Sequence, residues 1–415
     1  MNQNNKRPPF RAEHVGSFPR PDRLLKARQD YADGRIPKED LKNTEADCIR
    51  EIVALQERVG IGAVTDGEFP KKSWHEFLFE KCEGFDSERT KPDFKFRLFD
   101  GTQFEYPGEP RVVGKLKRRE PLSADDFSCL KGLTQRPTKA NLPTPSIAHL
   151  SGDRLLDRSI YPDRKMFFAD LAGVMRDEIA DLARRGCTYL QMDEVPIAVL
   201  CDPNNRETVR RRGEDPEELI DTYIHAINES INERPANMTV CVHLCRGNRG
   251  HGMADGGYEP VAERLFNKLN VDGFFLEYDT PRAGDFAPLR FVPKGTKRVV
   301  LGLVSTKLPD LETAELLKKR IDRLRGSCLS SNSACPRNAR IRQFHAFGPA
   351  DGRSRAKTCS HRRGGGSGVG LDGIPSISPV SNLRDEILCQ RNGRCSRPRN
   401  ADTHPHLSEI CVPPN

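Results

Sequence analysis

Short apolar segments alternate with amphipathic helical segments over about the first 322 residues, and this alternation constrains the fold more than any other feature. Seven segments have the composition of buried strands, and helical periodicity lies between most of them, for example over 43–59, 167–185 and 216–233. Strands separated by helices form βαβ units around a parallel sheet. The predicted fold class is therefore α/β.

Polar residues follow nearly every predicted strand, which separates two α/β architectures. A (β/α)8 TIM barrel builds its active site from the loops after its strands. A doubly wound sheet usually has a G-x-G-x-x-G turn after its first strand, whereas the first strand here runs into HVGSFPR. We therefore predict a (β/α)8 barrel over residues 1–322, with LPTPSIAHL as its third strand and a hairpin insertion at about 90–120 around Asp100-Gly101. One of the eight strands is not found.

Charge and hydropathy exclude several other classes of protein. Residues 325–415 hold 14 Lys or Arg and 6 Asp or Glu, which accounts for the whole net charge of +8, so no nucleic-acid-binding surface is expected on the body. No apolar run is long enough for a membrane span, and MNQNNKRPPF has no apolar signal region. A cytoplasmic protein is expected, and its oligomeric state cannot be predicted from these features.

The segment TVCVHLCRGN contains the most specific candidate site. His243 and Cys245 are two residues apart at the end of a predicted strand, so their side chains point the same way. Glu277 ends the next strand, in GFFLEYD, where a buried carboxylate needs a cation. Each residue alone is more often structural, but together they favour a zinc site that needs a fourth ligand, either a Cys or a substrate atom.

Carboxylates follow two other predicted strands. Glu68 lies in TDGEF and Asp193 in LQMDEVP, where each follows apolar residues. A solvated surface position for Glu68 and a helix N-cap for Asp193 are the structural alternatives. Binding of an ammonium group is the functional interpretation. Gly16 and Ser17, in HVGSFPR, form a third candidate loop at a strand end.

Taken together, these segments resemble the cobalamin-independent methionine synthases, in the catalytic C-terminal half that occurs alone in short single-barrel members. HVGSFPRP, TDGE, MDE, HLCRGN, FFLEYD and LGLVSTK occur in the order of that family over roughly residues 10–322. The resemblance implies zinc (Zn2+) bound by His243, Cys245 and Glu277. It also implies homocysteine held by the loop at Gly16 and Ser17.

The resemblance further implies that Glu68 and Asp193 bind the amino group of homocysteine, with Asp193 as a catalytic residue. The implied reaction moves a methyl group from 5-methyltetrahydrofolate, or its polyglutamate form, to homocysteine and yields methionine. A zinc-thiolate alkyltransferase acting on another thiol such as coenzyme M is one alternative, although coenzyme M has no ammonium group for these carboxylates. A non-catalytic zinc-binding or nucleic-acid-binding protein that uses the basic tail is another.

Two family features are missing from the sequence. Family members with a His in the loop that here reads LVSTK are thought to use it in protonating the folate, so the methyl donor stays open. The family motif L-S-P-Q-C-G-F, which carries the fourth zinc ligand, does not occur. Without it, Cys328, Cys335 or Cys359 would replace that ligand only by accident. We therefore expect the chain as written to bind zinc weakly and to turn over slowly.

Residues 323–415 have the Arg-, Gly-, Ser- and Cys-rich composition of a disordered tail, but a shifted reading frame explains them better. Read from each codon's third base, Ser327–Asn338 permits V-P-L-E-Q-L-x-L-S-P-Q-C. Read from the second base, Arg340–Phe344 permits G-F-A-S-F, and Lys357–Gly370 permits a closing amphipathic helix. The last strand and helix of the barrel are thus expected to be lost, leaving open sheet edges.

This hypothesis makes a prediction about the gene. The coding sequence should contain one frameshift near residue 323 and a second insertion or deletion near Ala339, with the zinc-binding Cys encoded across Asn338 and Ala339. Sequencing the gene measures this directly. Codons that do not spell those peptides in the alternate frames would disprove it.

Overall fold

In the computed structural model, the described residues all lie within one compact unit, Met1–Arg355. Within these residues, no helix has the length and apolar composition that crossing a bilayer requires. The described residues are 8–10, 12–91, 93–94, 96–97, 103–104, 108–247, 254–295, 297–305, 312–330 and 343–344.

The described strands belong to one parallel sheet and two small antiparallel pairs. The parallel sheet has the strand order β1-β11-β10-β9-β8-β7-β6, while β2 pairs with β5 and β3 with β4. Their bounds are β1 Ala12–Glu13, β2 Cys82–Thr90, β3 Phe96–Arg97, β4 Gln103–Phe104, β5 Glu109–Arg118, β6 Ala140–Pro143, β7 Tyr189–Glu194, β8 Thr239–Leu244, β9 Gly273–Glu277, β10 Arg298–Gly302 and β11 Gln343–Phe344.

Helices lie between the sheet strands, and their ends follow local sequence signals. Asp163 and Asp215 cap their helices by accepting backbone N–H bonds from Lys165 and Glu217. The helices are α1 Asp22–Ala32, α2 Lys38–Val59, α3 Glu76–Glu80, α4 Ala124–Leu133, α5 Arg164–Arg184, α6 Pro196–Val199, α7 Pro203–Arg211, α8 Pro216–Ile231, α9 Glu259–Lys268 and α10 Ala314–Ser330.

The α/β class with a parallel sheet agrees with the sequence prediction, but a closed barrel is not shown. The described part of the sheet is open, with β1 and β6 at its edges. The segment GAVTDGEF, in which the predicted strand before Glu68 lies, pairs with the residues just before β6 through the isolated bridge Val64↔Thr138. On its other side, Thr65 Oγ1 donates to the Gly16 carbonyl at 2.8 Å, and Phe18 N donates to the Gly67 carbonyl at 3.1 Å. Isolated hydrogen bonds thus replace a ladder here.

The last strand was predicted to be lost, but a strand of two residues is present at its position. In β11, Gln343 and Phe344 pair in parallel with Ala12 and Glu13 of β1, and Gln343 also pairs with Leu301 of β10. Backbone hydrogen bonds do not depend on side-chain identity, so a segment without the apolar pattern of a strand fills this position. Of the predicted tail, residues 323–330 belong to α10 and residues 343–344 to β11. The closing helix and the rest of the tail lie outside the described residues.

Two further segments differ in detail from the sequence prediction. The third strand is β6, which ends at Pro143, and Pro145–His149 of the predicted LPTPSIAHL strand forms a 3-10 turn that begins with a proline. Helix α10 continues to Ser330, beyond the boundary predicted at residue 322. In the predicted insertion, β2 and β5 are antiparallel, and Asp100-Gly101 lies outside the described residues.

One side of the sheet, which we call the inner side, carries both an apolar and a polar layer. Its apolar cluster consists of Ala63, Tyr189, Cys241, Phe275 and Val300. Among these residues, Lys139 Nζ lies 4.9 Å from the centre of the Phe275 ring. Lys139 forms an ion pair with Glu13 at 3.4 Å, and both side chains are fully buried. A buried ion pair therefore lies beside the apolar cluster on this side of the sheet.

The buried carboxylate of Glu178 predicts a large effect on stability. It forms an ion pair with Arg118 at 2.7 Å and accepts the backbone N–H groups at the start of α4. Glu178→Ala leaves these donors without a partner, so we expect the free energy of unfolding to fall by about 3–5 kcal/mol. Urea unfolding followed by circular dichroism measures this. Glu233→Ala, at a side chain that is 77% exposed, is the matched control and should change little; an equal effect of both variants would contradict the prediction.

Candidate active site

The predicted site residues lie on neighbouring strands of the parallel sheet. Asp193 of β7 is in register with His243 of β8, and His243 is in register with Phe275 of β9. Glu277 ends β9 two residues later, and Cys245 directly follows β8. All of these positions belong to the carboxyl ends of their strands, which is the edge where α/β enzymes place their chemistry. The structure therefore places four of the predicted residues at one edge of the sheet.

Gly16 begins the loop after β1 in a conformation that glycine favours. Its φ is +114°, and a Cβ there would lie 2.7 Å from the Asn141 side chain. Its N–H donates to Nδ1 of His14, whose Nε2 in turn lies 2.8 Å from Gln56 Oε1. Burial, followed by the charge of Lys139, lowers the pKa of His14 to about 3, so its ring is neutral. His14 thus braces the loop and does not titrate near neutral pH.

Glu68 is held in a strained and buried position beside this loop. Its φ is +59°, which costs a non-glycine residue about 1 kcal/mol or more, and its N–H donates to Asp66 Oδ1 at 2.8 Å. The Ser17 side chain forms a hydrogen bond with its carboxylate. Burial, as the largest cause, raises the pKa of Glu68. The structure therefore joins two of the predicted binding residues, Ser17 and Glu68.

Arg20 connects the Ser17 and Glu68 loops. Its Nη1 donates to Ser17 Oγ at 3.3 Å, and its Nη2 donates to the carbonyls of Glu68 at 3.0 Å and Lys71 at 3.2 Å. The sequence prediction did not include Arg20. Its position three residues after Ser17 is the one available signal, and that signal alone does not separate it from a surface arginine.

Asp193 is the second buried carboxylate of this region. Its Oδ1 accepts Gln191 Nε2 at 2.7 Å, and its Oδ2 lies 3.4 Å from Asn141 Nδ2. Burial first, and then the negative charge of Glu68, raise the pKa of Asp193 to about 7. A cation between two buried carboxylates stabilises their charged forms. We call Glu68 and Asp193 the carboxylate pair.

The neighbouring residue Glu194 takes the structural role considered for Asp193. Its carboxylate accepts the N–H of Ile197 in α6 at 2.7 Å and the hydroxyl of Thr144 at 2.6 Å, and it also bonds Ser146. Successive side chains of β7 point to opposite sides of the sheet. Glu194 therefore organises the outer side, and Asp193 lies on the inner side.

The three predicted zinc ligands lie at the ends of β8 and β9, which are held together by polar contacts. The hydroxyl of Tyr258 donates to the Leu244 carbonyl at 3.0 Å and accepts the Glu277 N–H at 2.9 Å. The backbone N–H of Arg246 donates to Glu277 Oε2 at 3.0 Å. An imidazole, a thiol and a carboxylate on adjacent strand ends are donors of the type that zinc binds, so the residues fit this metal. Asn338 and Ala339, where the fourth ligand was expected, lie outside the described residues.

A second group of possible metal ligands lies elsewhere and was not predicted. One ligand atom from each of His149, Asp153 and Glu214 lies within 4.8 Å of the others. Arg164 pairs with Asp153 at 3.0 Å and with Glu214 at 3.8 Å, and Arg158 pairs with Asp153 at 2.8 Å. Arginines already compensate these carboxylates, so this group is an ion-pair network of the core.

Comparisons with known proteins agree with the resemblance found in the sequence. Residues 10–335 match the family described as cobalamin-independent synthase, catalytic domain. The protein YxjH of Bacillus subtilis is 36% identical over 326 residues, which are 77% of this chain and 84% of that protein. The methionine synthase of Pyrococcus furiosus is 27% identical over 313 residues, which are 75% of this chain and 80% of that protein.

A solved structure agrees as well. A protein of Listeria monocytogenes assigned to the vitamin-B12-independent methionine synthases superposes with a TM-score of 0.62 at 30% sequence identity. The superposition covers 82% of this chain and 91% of that chain. The α/β fold of this chain is therefore that of a known group of proteins.

The carboxylate pair predicts a dependence of stability on pH. Because the pKa of Asp193 in the folded protein is about 7, above the roughly 3.9 of an unfolded aspartate, its contribution to stability is complete at low pH and is lost as the pH rises through 7. Asp193→Asn removes this loss. The free energy of unfolding of the variant, minus that of wild type, should rise by on the order of 1–4 kcal/mol from pH 5 to pH 8. Urea unfolding without ligand measures this difference. A difference independent of pH, or an equal gain in the exposed control Asp177→Asn, would contradict this.

Proposed function

This chain belongs to the cobalamin-independent synthase family, and from that membership and its site we propose that it methylates homocysteine to methionine, with 5-methyltetrahydrofolate or its polyglutamate form as donor. The enzyme class is that of the methionine synthases and homocysteine methyltransferases among its relatives. The observation that supports the substrate assignment is the carboxylate pair, whose buried negative groups favour a cationic ligand at the same sheet edge as His243. Homocysteine supplies an ammonium group and a thiol at the two ends of one small molecule.

The proposed role of the carboxylate pair is to bind and orient the substrate amino group. Glu68 and Asp193 are both nearly fully buried, which disfavours their charged forms. An ammonium group between them would compensate the negative charge of the carboxylates. Ser17 and Arg20 keep the Glu68 loop in place through the bonds described above. Fixing one end of the substrate restricts where its sulfur lies, and such positioning accelerates a bimolecular transfer.

His243, Cys245 and Glu277 are the residues proposed to hold zinc. Zinc bound there would supply the acidity that makes a coordinated thiol a thiolate at neutral pH. Tyr258 and the Arg246 N–H keep the ends of β8 and β9 at fixed positions, so the protein preorganises these donors. In the overall reaction the methyl group leaves the folate nitrogen and bonds to sulfur, the thiol proton is released, and the folate nitrogen takes up a proton.

The proposal also covers which part of the chain is catalytic and which thiol is the substrate. We assign catalysis to residues 1–322 and none to residues 323–415. The alternative thiol, coenzyme M, carries a sulfonate and no ammonium group, so it leaves the carboxylate pair uncompensated. The buried carboxylates therefore favour the amino-acid thiol.

The test combines zinc content with methionine formation from homocysteine and methyltetrahydrofolate, given as the mono- and triglutamate. It compares this chain with a frame-restored version. We expect Glu68→Gln to raise the KM for homocysteine roughly 10- to 100-fold, because a hydrogen bond to a charged group contributes about 1.5–3 kcal/mol. Glu263→Gln, at an exposed glutamate, is the matched control.

Two results would count against this function. Methylation of coenzyme M in preference to homocysteine would assign the site to the alternative thiol. A frame-restored protein that binds zinc but forms no methionine with either folate would reject the proposed reaction.

A further inference from the structure

Several buried polar side chains next to Asp193 have no role in the function proposed so far. We call them the column; they are Glu13, Lys139, Gln191 and Asn141. Lys139 is fully buried, and its Nζ lies 3.4 Å from Glu13 Oε2 and 2.9 Å from Gln191 Oε1. It also donates to the His14 carbonyl. The ammonium group has three N–H donors, and these three oxygens accept one each. Lys139 is thus fully satisfied inside the sheet.

The charge of Lys139 determines which way round the Gln191 amide lies. An ammonium group has no acceptor, so the amide atom that faces it must be the oxygen. The NH2 group of Gln191 then points the other way, where it donates to the Val15 carbonyl at 2.7 Å and to Asp193 Oδ1 at 2.7 Å. If the amide were reversed, its oxygen would face the carboxylate of Asp193, and acceptor would meet acceptor.

Asn141 repeats this arrangement on the next strand. Its Nδ2 donates to the Val15 carbonyl at 2.9 Å and lies 3.4 Å from Asp193 Oδ2. Each oxygen of Asp193 therefore faces an amide donor, and both amides are anchored to one carbonyl of the β1 loop. The carboxylate is fixed in direction relative to Gly16, which packs against Asn141.

We propose that Gln191 is a positioning residue that aims Asp193 at the amino group of the substrate, and that Lys139 keeps the Gln191 amide in the required orientation. This inference rests on the proposed function only in taking an amino-acid thiol as the substrate. Its consequence is selectivity: these two residues determine how strongly the site prefers a ligand with an ammonium group over the same ligand without one.

The experiment measures that preference directly by calorimetry. L-methionine, the proposed product, and 4-(methylthio)butanoate, its analogue without the amino group, are titrated into the full chain. Both carry a methylated sulfur, so a metal–thiolate bond contributes to neither. We expect wild type to prefer methionine, and Gln191→Met, which has a similar volume but no amide, to lose that preference by about tenfold. Partial unfolding lowers the apparent affinities for both ligands by the same factor. A variant that is only destabilised would therefore keep the wild-type ratio of the two affinities.

Two variants separate the roles of the column from general damage. The double variant Glu13→Gln/Lys139→Met removes both charges together, leaves no unpaired ion, and frees the Gln191 amide to turn; it should lower the preference similarly. Tyr223→Phe removes a buried hydrogen bond to His149 at 3.0 Å, away from the carboxylate pair, and should keep the wild-type ratio. If Gln191→Met does not fold, Asn141→Ala tests the other oxygen of Asp193.

The outcomes distinguish this inference from the proposed function. Wild type that binds both ligands equally would reject the carboxylate pair as an amine site, and the proposed function with it. A wild-type preference that persists in Gln191→Met would overturn the role of Gln191 alone. A preference lost in Gln191→Met but unchanged in the double variant would overturn the role of Lys139.

Discussion

The buried ion pair between Glu13 and Lys139 joins the two edges of the described sheet. Glu13 belongs to β1 and Lys139 directly precedes β6, and these are the outermost strands in the sheet order. The two residues are 126 positions apart in sequence. Burial as the largest cause raises the pKa of Glu13, and the Lys139 charge opposes this. A pair of this kind tolerates the loss of neither partner, because the remaining charge would be buried alone.

This ion pair is also the base on which the candidate site is built. Lys139 orients Gln191, Gln191 and Asn141 hold Asp193, and both amides bond the loop that leads to Gly16. Each step uses a group that can only donate or only accept at that point, so the column has one satisfactory arrangement. The stability of the sheet and the direction of the Asp193 carboxylate thus depend on the same few atoms.

The sequence predicts the strands that carry chemistry better than it predicts how the sheet closes. β7, β8 and β9 are buried along nearly their whole length, because parallel strands are covered on both faces, and their ends were placed correctly. Pro145–His149 was mistaken for a strand because five buried residues in a row have no period that separates a strand from a turn. β11 has no apolar pattern at all and is held by backbone pairing, so no side-chain signal could reveal it.

In the candidate site, too, some residues could be predicted from the sequence and others could not. Carboxylates after apolar runs identified Glu68 and Asp193, since a charge in that context is unusual. Gln191, Asn141 and Arg20 were missed because amides and arginines are common, and their importance appears only when their partners are known. Gln191 lies two residues before Asp193 on the same side of β7, which is a relation that the sequence contains but does not distinguish.

The left-handed backbone of Glu68 has a consequence for how this protein evolves and how it is engineered. Glycine would relax that turn, so a search for more stable variants would select its replacement and remove the carboxylate with it. The strain and the buried charge are both borne by the free protein, and an ammonium ligand relieves the charge. A substrate bound there as proposed would therefore stabilise the folded protein, so the protein without it would be the less stable form.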